Sequence, residues 1–212
     1  MSRQTLPAFS AACWYFGAEL DKGINSQVTA SDDKVPIGLV ASFVGGTFIE
    51  QWIPERNISD CQQQMCGNAQ GGGLNGKQTI NPQVCGSLYN GHIAPFVNQT
   101  ITGAVWYQGE NNVRNIGGSV KNHSGYACQQ QLQIAEYRRM WSVTPGTTDP
   151  MFPFGVTQLA GYSSEGFPWN TGAFRLAQTG GYGYMPNAAI PNSFLGQAFD
   201  LGVISLAMCR GL

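Results

Sequence analysis

Three uncharged apolar runs constrain this chain more than any other feature: VPIGLVASF (Val35–Phe43), ITGAVWY (Ile101–Tyr107) and PFGVTQL (Pro153–Leu159). They are rich in β-branched and small residues. They run on without strict alternation, as strands do when both faces of a sheet are covered. A fourth such run is read at Phe194–Leu201. Between the runs lie stretches of helical spacing. Thr5–Asp21 places Leu6, Phe9, Cys13, Phe16 and Leu20 three or four residues apart, with Thr5 as the expected N-cap. Phe48–Trp52 can open a helix. Val84–Val97 reads as a helix limited by Pro95. Ser124–Val143 reads as a long one with Cys128, Leu132, Ala135 and Trp141 on its apolar side. Glu55–Pro82 is loop-like, with three consecutive glycines at 71–73. Strands alternating with helices predict an α/β fold, a parallel sheet covered by helices on both faces, in one domain over 1–212.

The bulk numbers narrow the function classes. The 212 residues carry 11 Lys plus Arg against 12 Asp plus Glu, a net charge of −1. That is no electrostatic footprint for nucleic acid and no polybasic membrane patch. Charged residues make up 11% of the chain, against about 25% in an average soluble domain. Glycine and amides fill the gap, a neutral-polar surface that suits a carbohydrate-facing or secreted protein. No apolar run is long enough for a transmembrane helix. The start, MSRQTLPAFSAACWYFG, has no apolar core leading to a cleavage site, so no signal peptide is read there. Six cysteines occur, at 13, 61, 66, 85, 128 and 209. A bridge among Cys61, Cys66 and Cys85 would order the long loop, and free thiols are weighed equally. With no C-x-x-C and no histidine near a cysteine, the pattern does not support a zinc site. The sequons at Asn57, Asn98 and Asn122 are close to what chance gives a chain with 14 asparagines.

Chemistry is expected where two runs end. SFVGGT (Ser42–Thr47) and QGENN (Gln108–Asn112) are both polar and glycine-bearing. In a parallel sheet both fall at the C-terminal edge, where such folds build their sites. Paired glycines let backbone N–H groups approach a ligand, and an asparagine amide can donate to the same point. That donor set suits an oxyanion hole, which stabilises the tetrahedral intermediate of acyl transfer. Singly, each segment is better read as a turn or a cap; at one edge they point to a site.

These segments carry a resemblance. SFVGGTFIEQW resembles the S-x-x-G-G-T-x-I-E-x-W segment of the sialate O-acetylesterase family, a branch of the SGNH hydrolases. WYQGENN resembles its W-Y-Q-G-E-x-N segment. LYNGHIAPFV, FSAACWYFGAEL and PNSFLGQAFDLG are also similar to family stretches, so the likeness runs over roughly residues 5–202. It implies a three-layer α/β/α, flavodoxin-like fold and removal of O-acetyl groups from sialic acid or related sugars, without a cofactor. By carry-over, Gly45 or Gly46 is the backbone oxyanion donor and Asn112 the side-chain donor. Glu110 is expected beside them, orienting or facing the substrate. A secreted or lysosomal location is implied if the full-length protein carries a signal peptide.

The departures from the family pattern concern the nucleophile and the base. The family's G-Q-S-N-M and D-x-H-P segments have no counterpart in these 212 residues. His92 and His123 fall in other segments, Ser42 is read as structural, and neither Ser87 nor Ser163 sits in a G-x-S-x-G elbow. The expectation is therefore a central portion of such an esterase, truncated at both ends and inactive alone. The alternatives are a non-catalytic carbohydrate-binding relative, or an interaction protein that uses the fold only.

Overall fold

The computed structural model describes residues 9–30, 33–58, 61, 84–115, 124–160 and 171–197. The chain divides into two compact units, Met1–Gly45 and Gly46–Leu212.

The first unit contains α1 (Ala11–Asn25). Its cap is Ser10, whose hydroxyl accepts from the Cys13 N–H at 3.3 Å, so the helix starts later than the expected Thr5. Thr5 itself lies outside the described residues. The helix ends at Asn25, whose amide makes both hydrogen bonds of the Val35 peptide unit: Nδ2 donates to Val35 O at 3.0 Å and Oδ1 accepts from Val35 N–H at 2.9 Å. This bears on the predicted strand Val35–Phe43, which does not form. The segment has no strand assignment, and Val40 and Phe43 are 61% and 58% exposed. A strand needs a neighbour for its backbone groups, and here a side chain takes the first pair.

The second unit holds the sheet. Strands β1 (Ala104–Trp106), β2 (Phe154–Thr157) and β3 (Ser193–Gly196) pair in the order β1-β2-β3, both ladders parallel. Trp106 lies opposite Val156, and Val156 opposite Leu195. Three predicted runs thus appear as strands, each shorter than expected, and the α/β class holds. Residues 198–201 of the fourth run lie outside the described residues. The core of the sheet gathers Phe154 and Val156 with Trp52, Tyr89, Ile134, Tyr137 and Trp141. The last three come from α4 (Ser124–Trp141), as the helical spacing predicts. Its apolar stripe is different in detail. Ala135 is exposed, while Gln129, Gln130 and Gln133 are buried. A second cluster joins Ile49, Ile53, Tyr126 and Leu159 to Phe174 and Ala177 of α5 (Thr171–Gln178), a helix the sequence reading passed over.

Ile49–Trp52 is a 3₁₀ turn, and Glu55–Ile58 is α2, a single helical turn where only loop was expected. The predicted helix Val84–Val97 is irregular: Tyr89–Ile93 is a π-helix followed by a 3₁₀ turn at Ala94–Phe96. Pro95 lacks the N–H that a regular helix needs there. Cys61 is bridged to Cys128 of α4, with Cα atoms 5.6 Å apart, and Cys85 is also disulfide-bonded. No helix among the described residues is long and apolar enough to cross a membrane.

Candidate functional site

The segment after β1 turns sharply at Gly109 and enters α3 (Glu110–Asn115). Gly109 has φ +139°, and a Cβ there would lie 2.4 Å from the Phe174 ring. Both facts demand glycine. The turn sets Gln108 and Asn112 one helical turn apart, beneath the C-terminal end of the sheet. The segment after Gly46 comes to meet them. Gly46 has φ +72°, a left-handed turn position, whereas Gly45 ends the first unit. The Trp52 indole donates to Thr47 Oγ1 at 3.0 Å, and Gln51 Oε1 accepts from Phe48 N–H at 2.7 Å. These bonds coil residues 47–52 into a compact turn.

Asn112 joins the two segments. It is 1% exposed. Its Oδ1 accepts from Ile49 N–H at 3.0 Å and from Gln108 Nε2 at 2.8 Å. Its Nδ2 donates to Glu50 Oε2 at 3.1 Å, and Glu50 is also 1% exposed. Gln108 Nε2 donates to Thr47 O at 2.9 Å as well, and Gln108 Oε1 accepts from the Tyr126 hydroxyl at 3.0 Å. Burial pushes the Tyr126 phenol far above its ordinary range, so it is a permanent donor. Gln178 closes the arrangement from α5. Its Nε2 donates to Gln108 O, two residues past β1, and to Thr157 O, the last residue of β2, and its Oε1 accepts from Leu159 N–H.

Amide orientation is usually an inference from the surrounding bonds. Here backbone groups decide it. Ile49 N–H can only donate, so the oxygen of Asn112 must face it. Thr47 O can only accept, so the nitrogen of Gln108 must face that. The carboxamide of Asn112 therefore turns its NH₂ toward Glu50. One of its two hydrogens is used there.

The four residues named from sequence fall out differently. Asn112 is at the node, and Gly46 is at the turn beside it. Gly45 belongs to the other unit. Glu110 is exposed, the first residue of α3, and it stands near Tyr107: burial first, and then the Glu110 charge, raise that phenol's pKa. Asn111 is half-buried and donates to Gly46 O at 2.9 Å. Sequence reasoning missed Glu50, Gln108, Tyr126 and Gln178. The first two lie inside the quoted motifs, but nothing in a linear reading pairs residues that are 62 positions apart, as Glu50 and Asn112 are. Of the serines and histidines weighed earlier, His92 lies in the π-helix with its ring 6.1 Å from that of Trp52, while Ser163 and His123 lie outside the described residues.

No protein-family model matches the chain. It is similar to curated sialate O-acetylesterases: 34% identical over 198 residues to that of Homo sapiens, covering 91% of this chain and 33% of the relative. The figures for Pongo abelii are the same, and the Mus musculus protein is 32% identical over 219 residues, 91% of this chain and 37% of the relative. The chain thus spans about a third of the length of the curated relatives it matches. With the parallel α/β sheet, and with residues 46–52 folded against Gln108–Asn112 at its C-terminal edge, the chain is similar to the sialate O-acetylesterases over about a third of their length.

Proposed function

We propose that this chain supplies the oxyanion-stabilising part of a carbohydrate ester hydrolase. Its substrate would be an O-acetyl group on sialic acid or a related sugar. The observation that carries the reading is the seating of Asn112, at the C-terminal edge of the sheet, with its amide nitrogen orientation fixed and one hydrogen uncommitted to Glu50. A donor held in advance costs no reorganisation when charge develops on an acyl oxygen. Gly46 supplies the turn that brings residues 47–52 onto Asn112, and Glu110 is the acid available to sugar hydroxyls at the rim. The relatives' names support the substrate class.

Donors alone give only a small residue of triad-type catalysis. Neither His92 nor His123 sits in the D-x-H-P pattern of the family base. We therefore propose that this chain hydrolyses esters poorly by itself. The Cys61–Cys128 bridge favours an oxidising compartment, secreted or lysosomal.

The test uses the purified chain with 4-nitrophenyl acetate and with O-acetylated sialic acid. Turnover is expected near that of an Asn112→Ala control, with saturable binding of the sugar ester. Turnover well above the control means the chain carries its own nucleophile and base. Absence of both turnover and binding overturns the substrate assignment.

A further inference from the structure

We propose that Glu50 is the positioning residue of this site: at the end of a one-way chain of hydrogen bonds that begins at Tyr126, it takes one Nδ2 hydrogen of the Asn112 carboxamide and so aims the other. The inference rests on the reading of Asn112 as an acyl-oxygen donor and adds what makes it one. The chain runs from the Tyr126 hydroxyl to Gln108 Oε1, from Gln108 Nε2 to Asn112 Oδ1, and from Asn112 Nδ2 to Glu50 Oε2, at 3.0, 2.8 and 3.1 Å. Each step has one sense only. Gln108 is locked by Thr47 O and Asn112 by Ile49 N–H, both backbone groups that cannot exchange roles. A flipped Asn112 would set its oxygen against the Glu50 carboxylate and its NH₂ against two donors. All four side chains are buried, and in such surroundings a misdirected polar contact is costly.

The consequence concerns which hydrogen is left. Glu50 takes one Nδ2 hydrogen and thereby fixes the amide plane. The other hydrogen then has a set direction. Glu50 touches no reacting atom in this account. It acts through Asn112, and a positioning role of this kind predicts a spectroscopic signature that a merely packed glutamate would not give.

The experiment is side-chain amide NMR on the ¹⁵N-labelled chain. The two Asn112 Nδ2 protons are expected to be well separated, one of them downfield and protected from solvent exchange. Glu50→Gln keeps an acceptor but loses the charge, so the downfield shift should shrink. Glu50→Ala removes the acceptor of that proton, so its shift should return toward that of an ordinary asparagine amide and its exchange with solvent should quicken. Tyr126→Phe removes the first donor from the far end and should also narrow the separation, which keeps the test decisive if Glu50→Ala does not fold. Fast-exchanging protons at ordinary asparagine-amide shifts in the unmodified chain, or a pattern unmoved by Glu50→Gln and Tyr126→Phe, overturn the proposal. Titration with sodium acetate separates it from the underlying reading. Movement of the second Nδ2 proton supports the oxyanion role. An intact Glu50 signature with no response to acetate rejects that role and leaves the amide positioning in place.

Discussion

Replacing Asn112 by alanine tests the architecture of the site more severely than any other single change. The substitution removes the acceptor of Ile49 N–H, one of two acceptors of Gln108 Nε2, and the amide donor to Glu50. A buried N–H left without an acceptor costs about 1–3 kcal/mol, and a hydrogen bond to a charged group contributes about 1.5–3 kcal/mol. Gln108 keeps Thr47 O, so its loss is small. The expected total is about 3–5 kcal/mol, near the upper end for one substitution. Asn111→Ala loses the bond to Gly46 O, on a half-buried residue. It should cost about 1 kcal/mol or less. The assay is urea unfolding of both variants, compared at constant m-value. Asn112→Asp is the third arm, because it keeps an acceptor for Ile49 N–H but sets a second carboxylate against Glu50; it should be as damaging as alanine at neutral pH. If Asn112→Ala falls within about 1 kcal/mol of the parent, or Asn111→Ala matches it, the interlock described here is not what holds the two segments together.

Three further outcomes follow from the same geometry. Gly109→Ala meets both a φ of +139° and the Phe174 ring at 2.4 Å, so it should destabilise by about 3 kcal/mol or more in the same urea assay. The Cys61–Cys128 bridge joins residues 67 apart; loss of both cysteines, as a double serine variant, should lower stability by about 4 kcal/mol on the chain-entropy estimate. Burial raises the Tyr126 and Tyr137 phenols above the ordinary value of 10.0, so the folded chain retains protons that the unfolded chain loses. Stability should be full below that value and fall as pH rises past it. Urea midpoints stepped from about pH 8 to 11, with tyrosinate absorbance read in parallel, will show the two together.

How much of this was legible beforehand depends on the kind of interaction. The runs at 101–107 and 153–159 announced the sheet because burial on both sides leaves a continuous apolar signature. The run at 35–43 carried the same signature and is not a strand, since composition records what could pair and not whether a partner is there. In α4 the spacing found Trp141 but placed Ala135 inward, because a two-letter apolar pattern has no symbol for the buried Gln129, Gln130 and Gln133. Motif resemblance singled out Asn112 and the glycines. It could not supply Glu50 or Tyr126 as partners, because the bonds that tie them to Asn112 and Gln108 close between separate segments of the chain.

Of the two acids in the two motifs, Glu50 is held by the fold and Glu110 is not. In the first motif Gly46 is fixed by its φ, Thr47 by the Trp52 indole, Glu50 by Asn112, and Trp52 by the core. In the second, Trp106 packs on the core, Gln108 bridges Tyr126, Thr47 and Asn112, Gly109 is fixed sterically, and Asn112 is the node. Glu110 differs from all of these: it is exposed, beside Tyr107, at the rim of the sheet edge. Folding gives it little to do beyond the favourable placement of an acid in a first helical turn, which is worth only about 0.3–1 kcal/mol. A motif position that packing does not explain is where contact with a ligand is to be sought. Glu110→Gln should therefore leave the urea midpoint close to that of the parent. It should also weaken binding of an O-acetylated sialic acid at least about tenfold, the loss of roughly 1.4 kcal/mol expected for one good polar contact. Calorimetric titration of parent and variant with that sugar decides it. A variant that binds like the parent, or one that loses several kcal/mol of stability, returns Glu110 to the scaffold and leaves the rim of the site without an assigned acid.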